Sequence, residues 1–224
     1  MNDQINNTLT GWGLNLDENS RRKLETFASG LKEKNSVQNL VSRSDEPQLW
    51  ERHILDSLAA AVLLRRLLGP GALIADAGSG AGFPGLPLAA VLEEFNFQLL
   101  ESRVRRCDFL AWAATEMGAA NVAVFNRRVG EGGPEAAQRY GAVTERAMGQ
   151  LENILPQCLN ILSKGGVFLA WQSAAQLSQP RPAVESALQK AGGELAETFP
   201  YRLPGEKEDR YILVFRKALK RRGR

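Results

Sequence analysis

The feature that most restricts the fold is a glycine-rich stretch set between two short apolar runs, each closed by an acid. Ala72-Leu-Ile-Ala-Asp-Ala77 leads into Gly78-Ser79-Gly80-Ala81-Gly82-Phe83-Pro84-Gly85, a helical segment (84–94) follows, and Phe97-Gln-Leu-Leu-Glu101 comes next. Glycines let a backbone turn tightly and come close to a ligand. Strand, glycine loop and helix in that order begin a parallel βαβ unit, with a right-handed crossover and helices on both faces of the sheet. The alternation continues through a helix (103–117), a strand (121–126), a weak strand (142–144), a helix (151–162), a strand (166–171) and a helix (182–190). The runs 198–203 and 210–215, separated by Pro204 to Asp209, read as a closing hairpin. Antiparallel strands at one end are compatible with a mostly parallel sheet. The expected class is therefore α/β: a doubly wound, Rossmann-like fold with a mostly parallel seven-stranded sheet and an antiparallel end.

Ahead of this core the pattern is helical. Residues 1–16 are polar and turn-rich and read as a loose start. From Asp17 to Lys34, Leu24, Phe27, Ala28 and Leu31 fall at i, i+3, i+4 and i+7, the mark of an amphipathic helix. Residues 35–44 read as a linker. A second helix is expected from Pro47 to Leu68, with Trp50, Ile54, Leu58, Ala61 and Leu64 along one stripe and Gly69-Pro70-Gly71 as its stop. The expected organisation is an N-terminal helical extension (1–70), a cofactor-binding domain (71–216) and a basic C-terminal tail (217–224).

The loop carries the first functional reading. In sheets of this kind ligands bind outside the carboxyl ends of the strands, where the loop lies. Gly80, Gly82 and Gly85 satisfy G-x-G-x-x-G, and Glu101 follows Gly82 by 19 residues at the end of the second strand. An acid there can accept both hydroxyls of a ribose, so loop and acid together point to a cofactor containing a nucleoside. Asp76 lies two residues before Gly78. A pyrophosphate on the helix N-terminus would not want a carboxylate beside it, whereas a cationic cofactor would. Methyltransferases that use S-adenosylmethionine (SAM) resemble this arrangement. The plainer alternatives are that Asp76 caps the loop's own amides and that Glu101 is a solvent-exposed residue at a strand end. A nucleotide-dependent, NAD-type oxidoreductase and a non-catalytic RNA-binding module with a vestigial cofactor fold are the rival functional readings.

Composition excludes more than it selects. His53 is the one histidine, and Cys107 and Cys158 are the two cysteines. They support neither a disulfide framework nor a metal motif, so no metal is expected. The longest apolar run, Leu58 to Leu64, is too short to span a membrane. The start, Met1-Asn2-Asp3-Gln4, lacks the basic and apolar regions of a signal peptide. A cytoplasmic protein without membrane contact is expected. The net charge of +3 suggests nucleic acid. Yet residues 217–224 carry five positive charges and no negative one, leaving 23 basic against 25 acidic residues in 1–216. The basic character is concentrated in the tail.

Four blocks resemble one family. They are Asn39-Leu40-Val41 with Arg52-His53-Ile54-Leu55-Asp56-Ser57, the loop from Asp76 to Pro87, Leu100-Glu101-Ser102 with Arg105-Arg106 and Phe109-Leu110, and Arg128-Val129-Gly130-Glu131 with Glu145-Arg146-Ala147. The chain is similar to the bacterial 16S rRNA guanine-N7 methyltransferases of the RsmG (GidB) family, which modify guanine 527. The resemblance implies the SAM-dependent methyltransferase fold, SAM as cofactor, and 16S rRNA or the small ribosomal subunit as partner of a monomer. It implies that Gly78 and Phe83 line the SAM site, joining Asp76, Gly80 and Glu101. Val129 and Gly130 would contact the adenine end by backbone, and Arg146 would reach the cofactor or the active-site mouth. Arg52, His53 and Asp56 would sit between the N-terminal helices and the cofactor domain. The family's usual Glu is Gly130 here, and its Lys-Gly after the fifth strand is Gln172-Ser173. Contact with RNA is expected of Arg52, His53, Arg105 and Arg106. Read on its own, His53 is a half-buried structural residue partnered by Asp56, and Arg103, Arg105 and Arg106 form either a solvated face or a phosphate contact. Guanine N7 carries no proton, so its methylation needs no general base, and no catalytic residue is assigned.

Overall fold

The computed structural model describes residues 2–131, 139–179 and 181–218. Seven strands form one sheet in the order β3-β2-β1-β4-β5-β7-β6. β1 (Leu73–Ala77) lies between β2 (Asn96–Glu101) and β4 (Tyr140–Glu145), parallel to both, with β3 (Val122–Asn126) and β5 (Leu162–Ser173) outside them. β7 (Arg210–Lys217) is inserted antiparallel between β5 and β6 (Gly193–Tyr201). β1 is buried from Ile74 to Ala77 because both faces of the sheet are covered, which is why it reads as a continuous apolar run. The order of connection reverses between β1 and β4, and this places the ligand crevice at their carboxyl ends. The expected seven strands are all present. The weak fourth one extends to six residues, and β5 begins four residues earlier than its sequence pattern suggests.

Two apolar layers sandwich the sheet. One joins Leu24, Phe27 and Leu31 of the long helix α2 (Glu18–Gln38), together with Ile54, Leu58 and Leu64, to the sheet through Leu86 and Phe109. The other packs Leu155, Cys158 and Leu159 of a later helix (Leu151–Ile161) on Tyr140, Phe168 and Phe215. The N-terminal helices therefore share a core with the sheet rather than forming one of their own.

Three expectations change. The start expected to be loose is ordered from Asn2: α1 (Asp3–Gly11) is capped by Asn2, whose side chain accepts the Ile5 N–H at 2.9 Å, and it buries Ile5 and Leu9. The helix expected over 47–68 is broken. A 3₁₀ turn (Glu46–Gln48), a π-helical turn (Trp50–Leu55), α3 (Asp56–Leu58) and α4 (Ala61–Leu67) follow one another. Donors from outside the ladder explain the break. The Ser57 hydroxyl donates to the His53 carbonyl at 2.6 Å, and Arg146 donates to the carbonyls of Arg52 and His53 at 3.4 Å. Carbonyls drawn off in this way loosen the α-helical pattern, and π turns of this kind recur at functional sites. Finally, Lys217, placed in the basic tail, is the last residue of β7 and donates to the carbonyls of Asn160 and Leu162. The rest of that tail, from residue 219, lies outside the described residues.

Candidate functional site

The glycine loop is pinned to the ends of β1 and β2. Gly78 and Ser79 donate to the Leu100 carbonyl at 2.8 and 3.2 Å. Gly78 has φ +66°, and a Cβ there would stand 2.7 Å from Met148 Sδ, so the position requires glycine. Glu101 is 5 % exposed, which corrects the reading of it as an exposed strand end. Its Oε2 accepts the Gly80 N–H at 3.0 Å, its Oε1 accepts the Arg103 N–H at 2.8 Å, and Arg106 stands 3.9 Å away. Beside it opens a cavity of about 440 Å³ lined by Gly78, Glu101, Val129, Met148 and a set of arginines. Gly130 follows Val129 with φ +85°, a conformation that suits glycine better than the Glu that the resemblance implies there. A Cβ on Gly130 would stand 3.4 Å from Gln157 Oε1.

Asp76 does not face this cavity. It is wholly buried behind the loop, where its Oδ2 accepts the N–H of Gly85, the first residue of α5 (Gly85–Val91), at 3.2 Å and its Oδ1 the Thr144 hydroxyl at 2.9 Å. The capping role is the one the structure shows. Burial pushes the Asp76 carboxyl up to about 6. Glu145, at the end of β4, is pushed up to about 7, again mainly by burial, with the nearby Asp76 adding to the effect. Its Oε1 accepts the Met148 N–H at 2.6 Å.

These raised values have a consequence for stability. A carboxyl whose folded value exceeds its unfolded one binds protons more tightly when folded. Its contribution is full below the unfolded value and is lost as the pH rises through the folded one. Glu145→Gln keeps the acceptor for Met148 and removes the charge. It should be near neutral at pH 4 and more stable than the parent by about 1–3 kcal/mol at pH 8. Urea unfolding at the two pH values measures this, and equal differences at both would refute it.

A second cavity, of about 340 Å³, lies on the side of the N-terminal helices and shares Ala147 (φ +59°) with the first. Its wall is an ion network. Asp56, 2 % exposed, accepts from Arg146 at 2.8 Å on Oδ2, and from the Tyr201 hydroxyl at 2.6 Å and Arg210 at 3.2 Å on Oδ1. The Trp171 indole donates to the Asp56 carbonyl at 3.0 Å. The partner expected for His53 is thus occupied elsewhere, and His53 pairs instead with Arg146, 3.0 Å from its Nδ1. A guanidinium only donates, so Nδ1 accepts and the ring proton sits on Nε2. Nε2 is buried without a hydrogen-bond partner among the described residues, 3.9 Å from Asp45 Oδ2. Burial, then Arg146, hold His53 down at about 4, so the ring is neutral at pH 7.

Phe83, expected to line the SAM site, is a pillar under this wall. Its ring packs on Phe27 at 5.3 Å and His53 at 5.1 Å, and the Arg146 guanidinium lies 4.9 Å above it. Arg52 lines the second cavity, half exposed, 3.5 Å from Asp45. Arg105 is exposed on α6 (Val104–Met117), and Arg106 is half-buried beside Glu101. Gln172 lines the second cavity at the position where the resemblance implies lysine, and its Oε1 accepts from Arg181 at 3.2 Å, so a cation still stands close by. Sequence reasoning missed Tyr201, Arg210, Trp171 and Glu145. No spacing pattern marks them, because strands and turns far apart in the chain bring them together.

Among the described residues no group of three potential metal ligands gathers, and no helix is long and apolar enough to cross a membrane. A family model described as rRNA small subunit methyltransferase G (GidB) matches residues 20–198. A ribosomal RNA small subunit methyltransferase G of Listeria monocytogenes is 30% identical over 218 residues, covering 96% of this chain and 90% of that protein. The protein of the same name from Roseiflexus is 32% identical, covering 96% and 91%. Among solved structures, a SAM-dependent O-methyltransferase of Thermotoga maritima superposes with a TM-score of 0.55 at 22% identity, covering 75% of this chain and 66% of that one. The [4+2]-cyclase SpnF superposes with 0.56 at 16%, covering 74% and 81%. These last two establish the Rossmann-like fold. That one of them is called a cyclase shows that the fold by itself does not settle the reaction.

Proposed function

The chain belongs to the GidB family of small-subunit rRNA methyltransferases, and from that premise we propose that it moves the methyl group of SAM to N7 of a guanine in 16S rRNA, guanine 527 as the family resemblance implies. The observation that carries this reading is the meeting of two cavities at Ala147, at the carboxyl ends of β1 and β4. One offers a buried carboxylate beside a glycine cradle; the other is a polar chamber behind the N-terminal helices.

The loop-side cavity fits SAM. Glu101 would accept the ribose hydroxyls with lone pairs left free by Gly80 and Arg103, and Gly78 gives the room that a Cβ would fill. The main chain at Val129 and Gly130 would meet the adenine. Gly80 holds Glu101 in place, and Asp76 holds the loop from behind by fixing Gly85. When bound, SAM supplies an electrophilic methyl group.

The protein's part is to hold the base. Guanine N7 presents a lone pair and no proton, so the wall needs no general base, and the neutral His53 fits that requirement. Arg146, fixed by Asp56, His53 and two carbonyls, gives the chamber a rigid side. In-line alignment of two held groups can account for about 7–11 kcal/mol of barrier lowering. The enzyme acts as a monomer in this reading, and Arg52, His53, Arg105 and Arg106 are its RNA-facing residues. The target guanine must stand unpaired or leave its stack to enter.

Methyl transfer from labelled SAM to 16S rRNA, naked or in small subunits, with the product base mapped, tests this directly. Label on a guanine, with N7-methylguanine in the digest, is the expected result. Label on adenine or cytosine, no label on any ribosomal substrate, or binding of NAD in place of SAM would overturn it.

A further inference from the structure

The loop-side cavity is more strongly positive than its cofactor calls for. Arg103, Arg106, Arg127 and Arg128 all line it, and Arg105 stands next to them on α6. Among the described residues no carboxylate lies within 4 Å of Arg103, Arg105, Arg127 or Arg128, and Arg106 has only Glu101 at 3.9 Å. Glu101 is itself engaged by two main-chain N–H groups. Another acid nearby, Glu131, accepts the Arg128 N–H at 2.9 Å and, among the described residues, reaches no guanidinium. The second cavity differs. There Arg52 meets Asp45, Arg146 meets Asp56, and Arg210 meets both Asp56 and Glu206. Among the described residues, therefore, positive charge is mostly unpaired at one cavity and balanced at the other.

The cofactor does not explain this charge. The end that Glu101 and Val129 would hold is adenosine, which is uncharged, and the far end carries a sulfonium and an ammonium against one carboxylate, a net cation that one arginine at most would meet. Of these guanidinium groups only Arg106 has a carboxylate among the described residues, and Arg127 donates to the Tyr140 hydroxyl at 2.9 Å; a cluster so poor in counter-ions suits a polyanion, and Arg is the side chain that pairs with phosphate in two-point fashion. In a body whose residues 1–216 are slightly acidic, a local concentration of this kind decides where RNA phosphates settle.

We infer that the arginine rim takes the phosphates of the RNA substrate, so that bound RNA lies across the mouth of the cofactor cavity and closes the route by which the cofactor enters and leaves. This rests on the assignment of that cavity to SAM. It requires SAM to bind before RNA, and the demethylated cofactor to leave after it.

The test uses S-adenosylhomocysteine, which cannot react, preloaded on the full chain. Its release is followed by stopped flow with and without 16S rRNA. RNA should slow release by on the order of tenfold or more, about 1.4 kcal/mol of added barrier. The triple variant Arg103→Ala/Arg105→Ala/Arg128→Ala changes exposed side chains only. Its own release of S-adenosylhomocysteine without RNA is the reference rate; RNA should no longer slow that release, and the salt dependence of RNA affinity should flatten by about 2 in log–log slope. Release unaffected by bound RNA, or a variant that is slowed like the parent, would refute the inference. No methyl transfer takes place in this assay. A wrong target base would appear in the mapping experiment, and failure of S-adenosylhomocysteine to bind at all would refute both the cavity assignment and the closure.

Discussion

Asp56→Ala is expected to lower the folding free energy by about 3–5 kcal/mol, because it removes one partner from a buried ion network. For a chain of this length that is a fall in Tm of roughly 10 °C or more. Asp56 is the single carboxylate joining Arg146 on the β4 loop to Arg210 on β7, and it also takes the Tyr201 hydroxyl from β6. Without it, among the described residues, Arg146 keeps the neutral His53 ring, two carbonyls and the face of Phe83, and Arg210 keeps Glu206. Burial and Asp56 push the Tyr201 phenol far above its ordinary value, so at any working pH it is a donor that would lose its acceptor. Asp56→Asn keeps the volume but turns an amide N–H toward one of these donors, and should fall between the parent and the alanine variant. Because Arg146 forms the wall of the second cavity, methyl transfer should drop at least tenfold even at a temperature where both variants are folded. Urea unfolding and initial rates on small subunits provide the two readouts. An alanine variant within 1 kcal/mol of the parent would show that the network is solvated and adds little.

The sheet was legible in the sequence because its central strands are covered on both faces and appear as uninterrupted apolar runs between turn residues. α1 was not, since a mostly polar segment shows only Ile5 and Leu9 on its inner face and owes its helix to the core it packs against. The π turn at Trp50–Leu55 arises from donors supplied by Ser57 and by Arg146, a residue of another layer. Local propensity does not carry that information. Asp56 is 90 residues from Arg146, 145 from Tyr201 and 154 from Arg210, beyond the reach of any spacing rule. The two strand-closing acids are the sharpest case. In sequence they look equivalent, but the register pairs Asp76 with Leu99, so Asp76 lies two residues deeper in the sheet than Glu101. One is buried beneath the loop as a cap, and the other reaches the rim where a ligand can meet it.

Glu101→Ala should therefore have the largest effect on the cofactor, raising the Kd for SAM by about a hundredfold, or about 2.7 kcal/mol. Two losses combine. The variant no longer offers acceptors to the ribose hydroxyls, and hydrogen bonds to a charged group are each worth about 1.5–3 kcal/mol. It also frees the Gly80 and Arg103 N–H groups, so the loop and the start of α6 lose the tie that holds them together. Glu101→Gln keeps one oxygen and should cost less, on the order of tenfold. A cycle separates the two losses. Adenosine and 2′,3′-dideoxyadenosine are compared on the parent and on Glu101→Ala. If Glu101 holds the ribose, the parent prefers adenosine and the variant does not. If it acts only by bracing the loop, both ligands weaken equally and the preference persists in the variant. Calorimetry gives all four affinities. A Kd for SAM within threefold of the parent would remove Glu101 from the cofactor site, leaving it a brace between the glycine loop and α6.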